Sequence, residues 1–328
     1  MNPISTWSPP LMLRAGQLVW AVCLALLVSV SCLAQSRPEI PTVTIVQPRN
    51  INAYQEAVQG FLVELRQRFP TQFNTIIYEN PRGLYTTLQQ HTRSNSSPET
   101  VDLIVTVGTN ATAEVSQQIR DIPVVFSMVL DPQKVLGSRQ DIVGASLNIP
   151  PELQLKMIKD MLPAAKTVGI IYDPAQNADR VARYVSLADT FDLQIAAFPV
   201  SSQKEIPTAL DEVNSRADLL LGIVDSTVYT SRTTEFIMRY TIREHLPFVG
   251  ISVSYVKAGA LYALVFDSYD IGRQTARLAA QILSGVPASE LEITTPEKIT
   301  IALNLRTAEI IGVTIPNPLR KRAEIIYE

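Results

Sequence analysis

The sequence is poor in the side chains that most often build metal and thiol centres. Its 328 residues hold two histidines, His91 and His245, and two cysteines, Cys23 and Cys32. Charged residues make up 18%, below the roughly 25% of an average soluble protein, which argues against a disordered polyelectrolyte. Lys and Arg number 28 against 31 Asp and Glu, a net charge of −3, so no bulk positive charge is available for a nucleic-acid surface. The chain also lacks G-x-S-x-G, H-E-x-x-H, a Walker loop and G-x-G-x-x-G. Carboxylates at Asp131, Asp225 and Asp267 share no spacing that predicts a catalytic pair. No enzyme, metal site or cofactor is expected.

No apolar run is long enough for a comfortable membrane span of about 20 residues. The longest, Leu18 to Val30, follows the lone charge of residues 1–34, Arg14, and precedes small residues ending at Ala34. That order is the layout of a secretory signal, and an uncleaved anchor is the alternative. Both cysteines and both tryptophans, Trp7 and Trp20, lie within it, so the exported chain would carry no disulfide and no thiol nucleophile. Ser29-Val30-Ser31-Cys32 resembles a lipobox, which makes a lipid anchor at Cys32 a second alternative to release into the periplasm.

What is present, in quantity, is alternation. Apolar β-branched runs at 43–47, 74–79, 102–108, 122–129 and 141–147 read as strands, and a second series follows at 166–173, 193–200, 217–225, 246–250 and 260–267. Several are continuous rather than alternating, as expected where helices cover both faces of a parallel sheet. Between them lie amphipathic helices. Tyr54, Ala57, Val58, Phe61, Leu62, Leu65 and Phe69 form one stripe, stopped by Pro70. Ile271, Thr275, Leu278, Ala279, Ile282 and Leu283 form another, entered past Ser268 and ended by Gly285 as a left-handed cap. Pro150-Pro151 opens a helix over Glu152–Leu162, and Arg320-Lys321-Arg322 with Glu324 reads as the solvated face of a C-terminal helix. The fold class expected is α/β: two doubly wound parallel-sheet lobes of similar pattern, without a sequence repeat between them.

In such sheets ligands bind at the carboxyl ends of strands. Polar residues collect there. Gly108-Thr109-Asn110 opens a helix whose free N–H groups, with the Thr109 hydroxyl, suit a carboxylate; the stronger reading of the loop alone is that Thr109 or Asn110 simply caps that helix. Ser127 and Asp131-Pro132 follow the fourth strand, where Asp131 also suits a plain turn. Asp225-Ser226 follows an unusually apolar strand, and Asp225 is read equally as a ligand contact or as a cap. Tyr229 and Tyr255 stand near these loops, placed either to sandwich a flat ligand or to pack.

Several landmarks, in order from about Pro41 to Ile326, resemble the solute-binding proteins typified by the tryptophan- and tyrosine-binding components of bacterial ABC importers. They are GTNAT, IPVVFSMVLDP, DIVGASLNIPPELQL, MLPAAKTVGIIYDP, VDSTVYT, YVKAGALYAL, DSYDIGRQTARLAAQILSG and NLRTAEIIGVTIP. The resemblance implies a type I periplasmic-binding fold with a ligand cleft between two lobes. Residues 41–147 with 268–288 would form the first lobe, and residues 148–267 with 289–328 the second. Crossovers are expected near Leu147–Ile149, Asp267–Ser268 and Gly285–Pro296, with a closing helix in the second lobe. Thr109, Asp131 and Asp225 match family binding positions, Asn148 stands near a family Asp, and Arg49-Asn50-Ile51-Asn52 replaces a His-Pro-type segment. The implied job is capture of a small polar or aromatic, amino-acid-like solute for a membrane permease. A periplasmic sensory subunit feeding a histidine kinase is the alternative.

Overall fold

The computed structural model describes residues 40–47, 51–77 and 101–328. The leader segment with Cys23, Cys32, Trp7 and Trp20, as well as His91, Arg49-Asn50 and residues 78–79 of the second expected strand, lie outside the described residues.

Two sheets organise the chain. The first joins β1 (Thr42–Gln47), β2 (Gln72–Ile77), β3 (Leu103–Val107), β4 (Val124–Val129) and β5 (Ile142–Ser146) in the order β2-β1-β3-β4-β5, with every pairing parallel. All residues of β1, β3, β4 and β5 are buried, which is why their sequences run apolar without alternation. Helices α1 (Asn52–Arg68), α2 (Thr109–Gln118) and α3 (Pro132–Leu136) belong to this lobe. One face of the sheet packs Val43, Ile45 and Val105 against Phe61 and Leu65; the other packs Ile104, Val124 and Phe126 against Val115 and Leu136.

The second sheet has the order β12-β11-β10-β9-β8-β6-β7. Its strands are β6 (Thr167–Tyr172), β7 (Gln194–Pro199), β8 (Leu219–Leu221), β9 (Phe248–Val249), β10 (Tyr262–Phe266), β11 (Ile299–Asn304) and β12 (Ile325–Tyr327). All pair in parallel except β10 with β11. Helices α4 (Pro151–Met161), α5 (Pro174–Ala188), α6 (Ile206–Arg216), α7 (Ser231–Arg243) and α8 (Val253–Ala258) accompany it.

Between β5 and α4, and again on either side of α9 (Ser268–Leu283), the chain passes from one sheet to the other, three passages in all. Helix α9 follows a strand of the second sheet yet packs on α1, β4 and β5 of the first. Its seat is tight: a Cβ at Gly272 would lie 1.8 Å from the Ala57 carbonyl oxygen, and one at Gly60 would lie 2.0 Å from that of Tyr269. The buried Glu64 locks the same pair of helices, accepting from Arg68 at 2.7 Å and from Arg273 at 2.9 Å. These two guanidinium donors hold the Glu64 carboxyl below the usual range. The helix begins on Asp267, whose carboxylate accepts from the Asp270 N–H at 3.0 Å, one residue earlier than its sequence suggests. It ends in paired Schellman bonds, Gly285 N–H to Ile282 O and Val286 N–H to Gln281 O, with Gly285 at φ +95°. The third passage lies beside β5, with Ser146 and Thr294 hydrogen bonded at 2.9 Å.

Two expectations are corrected. The chain does not close on a helix carrying both Arg320–Arg322 and Glu324. Helix α10 (Leu305–Ile310) precedes a short α11 (Asn317–Arg322), and Ile325-Ile326-Tyr327, β-branched and aromatic, pairs with β11 as an edge strand. The apolar run 217–225 keeps only Leu219–Leu221 in the sheet; Gly222–Val224 form cavity wall and Asp225 opens a turn.

Candidate ligand-binding cleft

A cavity of about 1030 Å³ lies where the carboxyl ends of both sheets meet. The first lobe contributes Ala53 at the start of α1, Leu130 and Asp131 after β4, and Leu147 after β5; the second contributes Gly222–Val224 after β8 and Gly250–Ser254 after β9. Helix α5 lays Arg180, Arg183 and Tyr184 along one side. Tyr184 donates its hydroxyl to Gln154 Oε1 at 2.7 Å, and burial pushes its phenol up. Aliphatic side chains share the wall with many polar and charged ones, Glu56, Lys134 and Asp179 among them.

The backbone is bent at the β4 end of this wall. Register against β5 shifts between Ser127 and Val129, and the bulged residue, Met128, has φ +61°. Three residues on, Asp131 is also left-handed at φ +48°. Such conformations cost a non-glycine residue on the order of 1 kcal/mol each and persist where their surroundings hold them. Asn148 supplies the hold. Its Oδ1 accepts from the Asp131 N–H at 3.1 Å and its Nδ2 donates to Asp131 Oδ1 at 3.3 Å. Arg180, from the other lobe, donates to the same carboxylate, and Lys134 Nζ lies 3.6 Å from it. Asp131 and Asn148, chosen from sequence, are therefore brought together in the wall.

Thr109 and Asn110 stand one step behind. The helix they open has Gly108, at φ +88°, as its N-cap, and neither side chain caps it. Thr109 is half-buried and its hydroxyl accepts from the Leu130 N–H at 3.4 Å, so it props the wall; Asn110 is exposed. Neither lines the cavity.

The remaining candidates are placed elsewhere, each for a physical reason. Ser127 is buried in β4 and accepts from the Thr275 hydroxyl of α9 at 2.9 Å. Asp225 is 2% exposed, and its carboxylate accepts four hydrogen bonds: Asp173 N–H at 2.8 Å and Asn177 Nδ2 at 2.9 Å on Oδ2, with the N–H groups of Thr227 and Val228 at 3.0 Å on Oδ1. These fill the acceptor capacity of a carboxylate. Asp225 does not cap the following helix either, because Thr230 and Thr233 form that capping box. Ser226 is exposed and gives its hydroxyl to Gln176 Oε1 at 2.8 Å. Tyr229 stacks on Phe248 at 6.3 Å and meets Tyr255 edge-on at 6.0 Å, while the Tyr255 hydroxyl lies 3.2 Å from Thr234 Oγ1. The two tyrosines pack each other and the core of the second lobe, leaving no slot between them for a ligand.

Arg180 is one of several cavity residues that sequence reading missed. A charged residue inside a helix reads as solvated face, and the only available signal was its i, i+4 spacing from Tyr184 on one side of α5. Among the described residues no group of three His, Cys, Asp or Glu side chains is placed to hold a metal, and no helix is long and apolar enough to cross a membrane.

Comparison with known proteins places this architecture. A family model described as ABC transporter substrate binding protein matches residues 42–326. A tyrosine-binding protein of Clostridioides difficile (strain R20291) is 21% identical over 220 residues, covering 65% of this chain and 63% of that relative's length. Among solved structures, a conserved domain protein from Vibrio cholerae is 25% identical with a TM-score of 0.61, covering 88% of this chain and all of that one. An ABC domain from Streptococcus pneumonia in complex with L-Trp is 20% identical, with a TM-score of 0.61 over 88% of this chain and 99% of that one. The ligand-free, open structure of a substrate binding protein with adhesive properties from Clostridium difficile has a TM-score of 0.71 at 17% identity, over 88% of this chain and 99% of that one. The fold is thus the two-lobed α/β type of the periplasmic binding proteins, and the family is one of binders rather than enzymes. With the family model spanning nearly everything from β1 to β12, the chain belongs to the ABC transporter substrate-binding proteins.

Proposed function

We propose that this protein is the extracytoplasmic solute-binding component of an ABC importer and that it captures a small amino-acid-like solute by closing its two lobes upon it. One observation carries the reading: a cavity walled by strand ends of both sheets, with Asp131 and Asn148 at the passage between them. A solute touching both walls binds a closed arrangement better than an open one, and it shifts that equilibrium only by this difference in affinity. Micromolar capture corresponds to roughly −8 kcal/mol, within reach of a few charge-assisted hydrogen bonds and one buried apolar body. In this reading residues 1–34 direct export and the closed form docks on a membrane permease. The tyrosine-binding relative and the L-Trp complex support an amino acid as the solute class.

A thermal-shift screen of amino acids, nucleosides and sugars tests the reading. A solute at 100 times its Kd stabilises by about 2.7 kcal/mol, and for a protein of this size each kcal/mol raises Tm by roughly 1.5 °C. An amino acid giving the largest shift is the expected result; a sugar or nucleoside doing so overturns the solute class. Neighbouring genes for a permease and an ATPase are expected, and a histidine kinase in their place would overturn the transport role.

A further inference from the structure

We propose that Asp131 and Arg180 form an exchangeable ion pair through which the cleft selects zwitterions. A bound solute's ammonium takes the place of the Arg180 guanidinium on Asp131, and its carboxylate takes the place of Asp131 on Arg180. The inference deepens the amino-acid reading and rests on it.

The two side chains come from opposite lobes, both line the cavity, and they meet each other directly. At 23% and 18% exposure they are open enough to exchange partners and buried enough that a charge left alone is costly. Asp131 does not depend on Arg180 for its position, since Asn148 holds its backbone and carboxylate together. No neighbour matches Arg180 as a partner for Asp131, Lys134 being farther away at 3.6 Å. Arg183 is engaged with Glu152, and Lys134 is half-exposed with its ammonium donating to the Gln176 carbonyl. A simple cation that took Asp131 would orphan Arg180, and a simple anion that took Arg180 would leave Asp131 with only the Asn148 amide and the more distant, half-exposed Lys134. A zwitterion orphans neither, so the pair penalises every ligand carrying one charge alone.

The test is calorimetric titration of the full chain with L-tryptophan, tryptamine and indole-3-propionate, which share one apolar body and differ in charge. The wild type should bind L-tryptophan at least tenfold more tightly than either analogue. Arg180→Gln should narrow the gap to tryptamine and Asp131→Asn the gap to indole-3-propionate, whereas Arg180→Lys should keep the wild-type order. Melting curves matching the wild type within a few degrees show that the variants are folded. Equal changes in all three affinities, or none, would overturn the exchange while leaving the amino-acid reading intact. Failure of the wild type to bind L-tryptophan, L-tyrosine and L-leucine alike would overturn both.

Discussion

Asp131 and Asp225 follow apolar strands at the carboxyl edges of their respective sheets, and in sequence they carry the same signal. The molecule uses them oppositely. Asp225 is sealed by four donors, two of them from the segment Asp173–Asn177, and ties the β6–α5 loop to the loop after β8. Asp131 is left partly open, with one amide and two cationic side chains as its partners. A carboxylate whose acceptor sites are filled internally has nothing to offer a solute; one held by exchangeable charges does. The number of internal donors, rather than the residue type, separates scaffold from site.

The comparison breaks most visibly at Asp225. Asp225→Ala leaves four buried or half-buried donors without an acceptor and should destabilise the fold by about 3 kcal/mol or more, read as a lowered urea midpoint. Asp131→Ala should destabilise by less than that, about 1–2 kcal/mol, as expected for a partly exposed pair at a left-handed position. The same variant should weaken solute binding at least tenfold, about 1.4 kcal/mol, read by calorimetry. If both variants lost affinity with stability unchanged, the distinction between them would fail.

The knot around Asp225 also has a pH signature. Hydrogen bonds from the Thr227 hydroxyl, the Ala175 N–H and the Gln176 amide hold the Asp173 carboxyl below the usual carboxylate range. The folded state therefore binds this proton less readily than the unfolded chain. Its contribution is present above the unfolded value near 4 and is lost as pH falls through the folded one. Melting curves from pH 6 to pH 3 should fall less steeply for Asp173→Asn than for the wild type. The smallest effect is expected at Thr109, whose hydroxyl makes one long bond to the wall; Thr109→Ala should weaken binding by no more than about threefold.

The layers were legible in the sequence because burial on both faces writes continuous β-branched runs, and because Pro70 and Gly285 punctuate their helices. Asp131 was legible as a polar residue at a strand end, and Asn148 only through the family resemblance. Three features were not. Two of the four donors to Asp225 lie about fifty residues away in sequence, so its saturation is a tertiary fact. The same holds for Arg180, whose partner is on the other lobe. The closing strand was masked by its basic neighbours, which make a helical turn just before Ile325 begins to pair.

The central claim is that a solute is held between lobes that close, and small-angle X-ray scattering measures it most directly. With the most stabilising amino acid of the screen at saturation, the account predicts a smaller radius of gyration than in the ligand-free protein, and no such change for an Asp131→Ala, Arg180→Gln double variant. Tight binding by the wild type with an unchanged scattering profile would contradict it.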